Sequence, residues 1–102
     1  MIFIETSVFT RLLLELMSDE KYRLFQKELV TNPSKGDLIR SSGGLRKLRW
    51  SAEGRGKRGG LRIIYYWSAN EHQIFMLSVY PKSKQENLTS AQLKALRQTI
   101  EE

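Results

Sequence analysis

The chain has 102 residues, 40% of them hydrophobic and 27% charged, with no cysteine and a formal net charge of +6 at pH 7. This describes one soluble domain, residues 1–102, large enough for a single modest core. It excludes disulfides and cysteine-based metal sites, and no apolar run is long enough to span a bilayer.

The opening Met1-Ile2-Phe3-Ile4-Glu5-Thr6 has no basic n-region and no small-residue cleavage site, so a cytoplasmic location is expected. Ile2 to Ile4 predicts a short first strand. Thr6 or Ser7 can cap a helix in which Phe9, Leu12, Leu13 and Leu16 recur at helical spacing. Ser18 can cap a second helix, with Asp19 and Glu20 facing the positive end of its dipole and Tyr22, Phe25 and Leu29 as its apolar stripe. Asn32-Pro33 stops it, because a residue before proline is pushed out of the α region. The two helices read as a hairpin.

Three strands follow, predicted over Leu45 to Trp50, Leu61 to Trp67 and Gln73 to Tyr80, the last two joined by Ser68-Ala69-Asn70-Glu71-His72. A final helix begins at a capping box, Thr89 with Gln92, flanked by Leu88 and Leu93 at the staple positions. Leu93, Leu96 and Ile100 form its stripe. The order β-α-α-β-β-β-α predicts an α+β domain with an antiparallel sheet, an N-terminal helical hairpin and a C-terminal helix.

The positive charge is concentrated in the middle of the chain. Residues 35–66 hold nine basic residues (Lys35, Arg40, Arg46, Lys47, Arg49, Arg55, Lys57, Arg58 and Arg62) against Asp37 and Glu53. A localised basic field attracts phosphate, the main electrostatic term in nucleic-acid binding; a solvated charged face is the plainer reading. Alternation sorts the strands into faces. Leu48 and Trp50 oppose Lys47 and Arg49, and Leu61, Ile63, Tyr65 and Trp67 oppose Arg62, Ile64 and Tyr66. Phe75, Leu77 and Val79 oppose Met76, Ser78 and Tyr80. With helices over the apolar faces, Lys47, Arg49, Arg62, Tyr66, Ser78 and Tyr80 would share an uncovered face. A meander would bring Arg49, Arg62 and Tyr80 to one edge, beside Lys82 to Lys84.

Each motif has a plainer alternative. Gly54-Arg55-Gly56-Lys57-Arg58-Gly59-Gly60 suits phosphate approach, or is a solvated hairpin tip. Arg62, a single charge in an apolar strand, suits phosphate binding or an ion pair; the shortage of nearby acids favours phosphate. Tyr80 alone reads as an interfacial tyrosine, and Tyr66 serves packing or base stacking. His72, the acid–base candidate by residue type, lies in a turn at the far end of the sheet.

Gly43-Gly44-Leu45-Arg46-Lys47-Leu48-Arg49, Gly56-Lys57-Arg58-Gly59-Gly60-Leu61-Arg62-Ile63-Ile64-Tyr65-Tyr66 and Tyr80-Pro81-Lys82 before Leu88-Thr89 resemble, in that order, the HigB branch of the RelE-like toxins. The resemblance extends over the helical hairpin with Tyr22-Arg23-Leu24-Phe25-Gln26 and Asn32-Pro33. It implies the toxin of a two-gene toxin–antitoxin module, an endoribonuclease cleaving mRNA in the ribosomal A site, with mRNA, ribosome and a co-encoded antitoxin as partners. It assigns the chemistry to Arg62, Lys47, Arg49, Tyr80 and Lys82; from the basic field and its neighbours, RNA binding is expected of Arg46, Lys57, Arg58, Tyr66 and Lys84. The ribose 2′-OH would attack the adjacent phosphate and leave a 2′,3′-cyclic phosphate, with no cofactor and no metal required. The choice of base and acid among Lys47, Lys57, Tyr80 and Lys82 stays open. Two alternatives stand beside it: a gyrase-inhibiting toxin of the same fold and a non-catalytic RNA-binding module.

Overall fold

The computed structural model describes residues 1–50 and 60–101. In chain order it contains β1 (Ile2–Glu5), α1 (Ser7–Leu16), α2 (Asp19–Thr31), β2 (Asp37–Leu38), β3 (Arg46–Trp50), β4 (Leu61–Ser68), β5 (Gln73–Pro81) and α3 (Ser90–Glu101). Local capping chemistry starts each helix. The Thr6 hydroxyl accepts from the Phe9 amide at 3.1 Å and the Ser18 hydroxyl from the Lys21 amide at 3.2 Å. Thr89 and Gln92 form the reciprocal box: the Thr89 amide donates to Gln92 Oε1 at 2.8 Å and the Gln92 amide to Thr89 Oγ1 at 3.1 Å. Each such bond satisfies an amide that the first helical turn leaves without a partner.

The five strands form one sheet in the order β1-β5-β4-β3-β2. The pairs among β2, β3, β4 and β5 are antiparallel, but β1 runs parallel to β5, so the sheet is mixed rather than antiparallel throughout. The hairpin α1–α2 carries the chain from β1 at one edge to β2 at the other, so the parallel neighbours β1 and β5 are joined by a long connection, as parallel strands require. A second departure is β2, which pairs with β3 through Asp37↔Lys47 and Leu38↔Arg46 alone. A strand of two residues has no alternation to read from sequence.

Two cores flank the sheet. On one face, Phe9 and Leu13 of α1 and Tyr22, Phe25 and Leu29 of α2 pack against Leu48, Leu61, Ile63, Tyr65, Ile74, Met76 and Val79. On the other, Leu88, Leu93, Leu96 and Ile100 pack over Leu45, Ile64, Tyr66, Phe75, Leu77 and Tyr80. The face expected to be uncovered is therefore covered over part of its length by α3. The expected grouping of Phe75, Leu77 and Val79 also fails. Ile64 pairs with Ser78 while Tyr65 pairs with Met76, so Leu77 is an extra residue in β5. This β-bulge reverses the phase of everything before it. Met76 joins Val79 against the hairpin, and Phe75 and Leu77 turn toward α3. The grouping expected for β4 holds, since its own phase is unbroken.

Two buried side chains fix the connections beside the sheet. The Tyr65 hydroxyl donates to the Pro33 carbonyl at 2.8 Å and accepts from the Gly36 amide at 2.9 Å, tying down the turn between α2 and β2. The Ser42 hydroxyl donates to the Ile39 carbonyl at 2.6 Å and accepts from the Leu45 amide at 3.0 Å. Gly43 and Gly44 in that loop have φ of 77° and 100°, where a side chain is strained. A Cβ there would also meet Arg97 at 2.9 Å or the Tyr66 ring at 3.0 Å.

Candidate functional site

The strand register builds the site. Arg49 of β3 pairs with Arg62 of β4, and Arg62 pairs with Tyr80 of β5, so the three form one row across the sheet. Lys47 stands two residues from Arg49 on the same face. Directly opposed residues have Cβ atoms about 4.5–5.5 Å apart, and like charges so placed repel. An Arg–Arg pair at such a distance needs an anion, either its own or a ligand's.

Glu86 supplies one from the connection between β5 and α3. Arg62 Nε donates to Glu86 Oε2 at 3.0 Å and Arg62 Nη2 to Oε1 at 3.2 Å, a two-pronged pairing. Lys47 Nζ lies 3.9 Å from Oε2 of the same carboxylate and donates to Asn87 Oδ1. The hydrogen bonds from Arg62 hold the Glu86 carboxyl below the usual carboxylate range, and the charges of Arg62, Lys82 and Lys47 lower it further against desolvation. The Arg62 side chain is only 6% exposed, whereas Glu86 is 41% exposed. The Tyr80 hydroxyl lies 3.4 Å from the Glu86 carbonyl. Burial pushes the Tyr80 phenol up from its ordinary value, with the Arg62 charge opposing, so it carries its proton at neutral pH.

Beside this row lies a cleft of about 330 Å³ lined by Asp37, Leu38, Ile39, Lys47, Arg49, Ile64, Tyr80, Asn87, Leu88 and Leu93. It opens between β2 and the start of α3. Lys47 and Arg49 outnumber Asp37 in a lining that is otherwise largely apolar, a combination that suits a ligand carrying both phosphate and a flat ring.

The residues expected at the site divide by position. Lys47, Arg49, Arg62 and Tyr80 come together on one face. The Lys82 amide donates to the Gly60 carbonyl at 3.0 Å, which puts Lys82 beside the row, and Lys84 is exposed in the same turn. Arg46 belongs to the opposite face, where its Nη1 donates to the carbonyls of Gly36 at 2.7 Å and Ser34 at 3.2 Å. Tyr66 packs near Phe75, 6.2 Å between ring centroids, and under the Arg97 guanidinium at 4.9 Å, toward the other end of β4. Lys57 and Arg58, with the rest of the glycine-rich segment up to Gly59, lie outside the described residues. His72 has φ of 55° in the turn between β4 and β5, at the end of the sheet away from Arg62 and Tyr80.

Sequence reasoning missed Glu86 and Asn87. The shortage of acids near Arg62 was a shortage along the chain, whereas Glu86 lies 24 residues away. The signal was present: the meander that brings the end of β5 to the start of β4 also brings the segment after β5 there.

Among the described residues, no helix is long and apolar enough to cross a membrane. Comparison with known proteins agrees with the architecture. The chain superposes on a double arginine-to-alanine mutant of the E. coli toxin RelE in the free state with a TM-score of 0.59. The match covers 83% of this chain and 86% of that one, at 18% identity, a likeness of fold. The family model described as the RelE toxin of the RelE/RelB toxin–antitoxin system matches residues 6–102, nearly the whole chain. This chain therefore belongs to the RelE toxin family.

Proposed function

We propose that the protein is an endoribonuclease toxin of the HigB branch that cleaves mRNA on the ribosome in the cytoplasm, its activity restrained by a co-encoded antitoxin. One observation carries this reading: the Arg49–Arg62–Tyr80 row, with Lys47 beside it, concentrates cations and a protonated phenol at the edge of an open cleft. Cross-strand arginines serve no packing purpose, but two guanidinium groups suit the oxygens of a phosphate under attack.

In this reading, the 2′-oxygen forms a bond to phosphorus as its proton passes to a basic group of the site. The bond from phosphorus to the 5′-oxygen breaks, and that oxygen takes a proton as it leaves. Arg62 and Arg49 stabilise the charge that grows on the phosphoryl oxygens, with Lys47 and Lys82 flanking them. In the same reading Tyr80, neutral at the row, protonates the leaving oxygen.

The test is to incubate the purified protein with translating ribosomes, and separately with free mRNA, and to map the RNA ends. Cleavage with 2′,3′-cyclic phosphate ends is expected on ribosomes. Arg62→Ala should slow it by about 10²–10³, the usual cost of one transition-state donor. Intact RNA together with inhibited gyrase supercoiling would replace this reading with the gyrase-directed one. Binding to RNA without any scission would reduce it to a binding module.

A further inference from the structure

Glu86 is chemically unlike the rest of the site, a carboxylate where the chemistry calls for cations. Its geometry explains what it does there. Arg62 meets it through Nε and Nη2 at 3.0 and 3.2 Å, the guanidinium fork that also takes two oxygens of a phosphate. Lys47, 3.9 Å from the same carboxylate, completes the seat.

The two partners differ in freedom. Arg62 is enclosed in the sheet at 6% exposure, with Nη1 donating to the Leu61 carbonyl at 3.4 Å. Glu86 sits at 41% exposure on the connection that follows β5, where its carboxylate can rotate into water. A fixed cation and a movable anion make a seat that opens in one way, by departure of the anion.

We propose that Glu86 is an internal stand-in for the scissile phosphate, seated on Arg62 and Lys47 in the free toxin and displaced when RNA docks. The proposal rests on the reading of the row as an RNA-cleaving site. Two consequences follow. With Glu86 seated, the enclosed guanidinium is paired and aimed before substrate arrives, avoiding the cost of a buried charge without a partner. Any incoming phosphate must also displace it, so apparent affinity falls by the fraction of molecules in which the seat is open. A loose anion making one contact is rejected, while an RNA held at several points overcomes the competition.

The experiment measures binding of a 2′-O-methyl oligoribonucleotide, which cannot be cleaved, by fluorescence anisotropy to the whole protein. Four forms are compared: the parent, Glu86→Gln, Arg62→Ala and the double variant, each shown to be folded by circular dichroism. Glu86→Gln should bind about tenfold tighter, since a neutral amide competes for the fork with about half the strength of a carboxylate. In the Arg62→Ala background the same change should matter less than about twofold, because the contested seat is gone. On cleavable RNA, Glu86→Gln should lower KM and leave kcat within about threefold. Should Glu86→Gln fail to fold, Glu86→Ala replaces it, with the same direction expected.

Unchanged or weaker binding by a folded Glu86→Gln protein overturns the proposal. Equal tightening in both backgrounds does so too, because it would be a general charge effect. A fall in kcat of about 10² or more would make Glu86 a group acting on the reacting atoms, and the stand-in account would be wrong. If instead Arg62→Ala leaves RNA binding untouched, the reading of the row as an RNA site fails, independently of Glu86.

Discussion

Removing one oxygen atom from Tyr65 tests how the wall of the cleft is held. Tyr65 is fully buried, and its hydroxyl bridges the Pro33 carbonyl at 2.8 Å and the Gly36 amide at 2.9 Å. Tyr65→Phe keeps the ring and its packing but leaves both backbone groups without that partner. Pro33 is only half-buried and its carbonyl can recruit water, so most of its loss is recovered. Gly36 is buried against the Tyr65 ring, and its amide has no such recourse. An unsatisfied buried donor costs roughly 1–3 kcal/mol, and one such group with partial recovery at the other gives about 2 kcal/mol. For a chain of this size that lowers Tm by roughly 8 °C. Urea unfolding followed by tryptophan fluorescence reads the difference directly. The Arg46 guanidinium grips the same turn through the Gly36 and Ser34 carbonyls. Arg46→Ala and Tyr65→Phe should therefore be non-additive by about 0.5 kcal/mol or more. A Tyr65→Phe protein within about 0.5 kcal/mol of the parent would refute the reasoning, because the bridge would then hold nothing that water does not.

His72→Gly should leave RNA cleavage within about threefold of the parent and raise stability by at most about 1 kcal/mol, since it relieves a left-handed residue far from the row. Cleavage kinetics and a melt check both halves; a large loss of cleavage in folded protein would contradict the placement. The Glu86 pairing makes stability depend on acid. Because its folded pKa lies below the ordinary 4.5, its contribution is complete above that value and is lost as pH falls through the folded pKa. The Tm difference between the parent and Glu86→Gln should accordingly shrink on acidification from pH 7 to about pH 3, and a constant difference would rule the linkage out. An antitoxin whose acidic segment covers the row should bind Arg49→Glu about tenfold more weakly at low salt, with the gap closing as salt rises. Titration calorimetry at two salt concentrations checks this, and affinity indifferent to both changes would point to docking on the apolar hairpin.

What the sequence makes legible is what depends on neighbours along the chain. Ser18 and the Thr89–Gln92 box are read correctly, and the first cap is narrowed to Thr6 or Ser7, because a cap and its amides lie within three residues of each other. The faces of β4 follow from its alternation, and the row Arg49–Arg62–Tyr80 follows from a meander with the right ends together. Features set by distant contacts are not legible. Alternation in β5 is continuous to the eye, yet Leu77 is a bulge imposed by pairing with β4, and every residue before it changes face. The parallel pairing of β1 with β5 and the packing of α3 on the basic face are likewise tertiary choices. Arg46 looks equivalent to Lys47 and Arg49 in a basic run, but alternation alone sends it to the opposite face, which the expected RNA-binding set did not respect.

The bulge is also the reason a sheet with two cores can carry a cationic row. A strand that alternated without interruption would give α3 either Met76, Ser78 and Tyr80 or Phe75, Leu77 and Val79. The first set would take both Phe75 and Leu77 away from α3; the second would turn Tyr80 away from Arg62. With Leu77 as the extra residue, Phe75 and Leu77 support α3 while Ile74, Met76 and Val79 support the hairpin. Tyr80, beyond the bulge, keeps the phase that sets it beside Arg62. The Thr89–Gln92 box then starts α3 beside this row, so its apolar stripe covers Ile64, Tyr66 and Phe75 and meets the row at Tyr80. The extent of cover on this face is therefore a consequence of where a single helix begins. On this account, deleting Leu77 should remove the bulge while leaving Met76 and Phe75 opposite Tyr65 and Tyr66, so the loss is that of one buried side chain under α3. Removing the box with Thr89→Ala should cost about 1 kcal/mol of stability and leave the row in place.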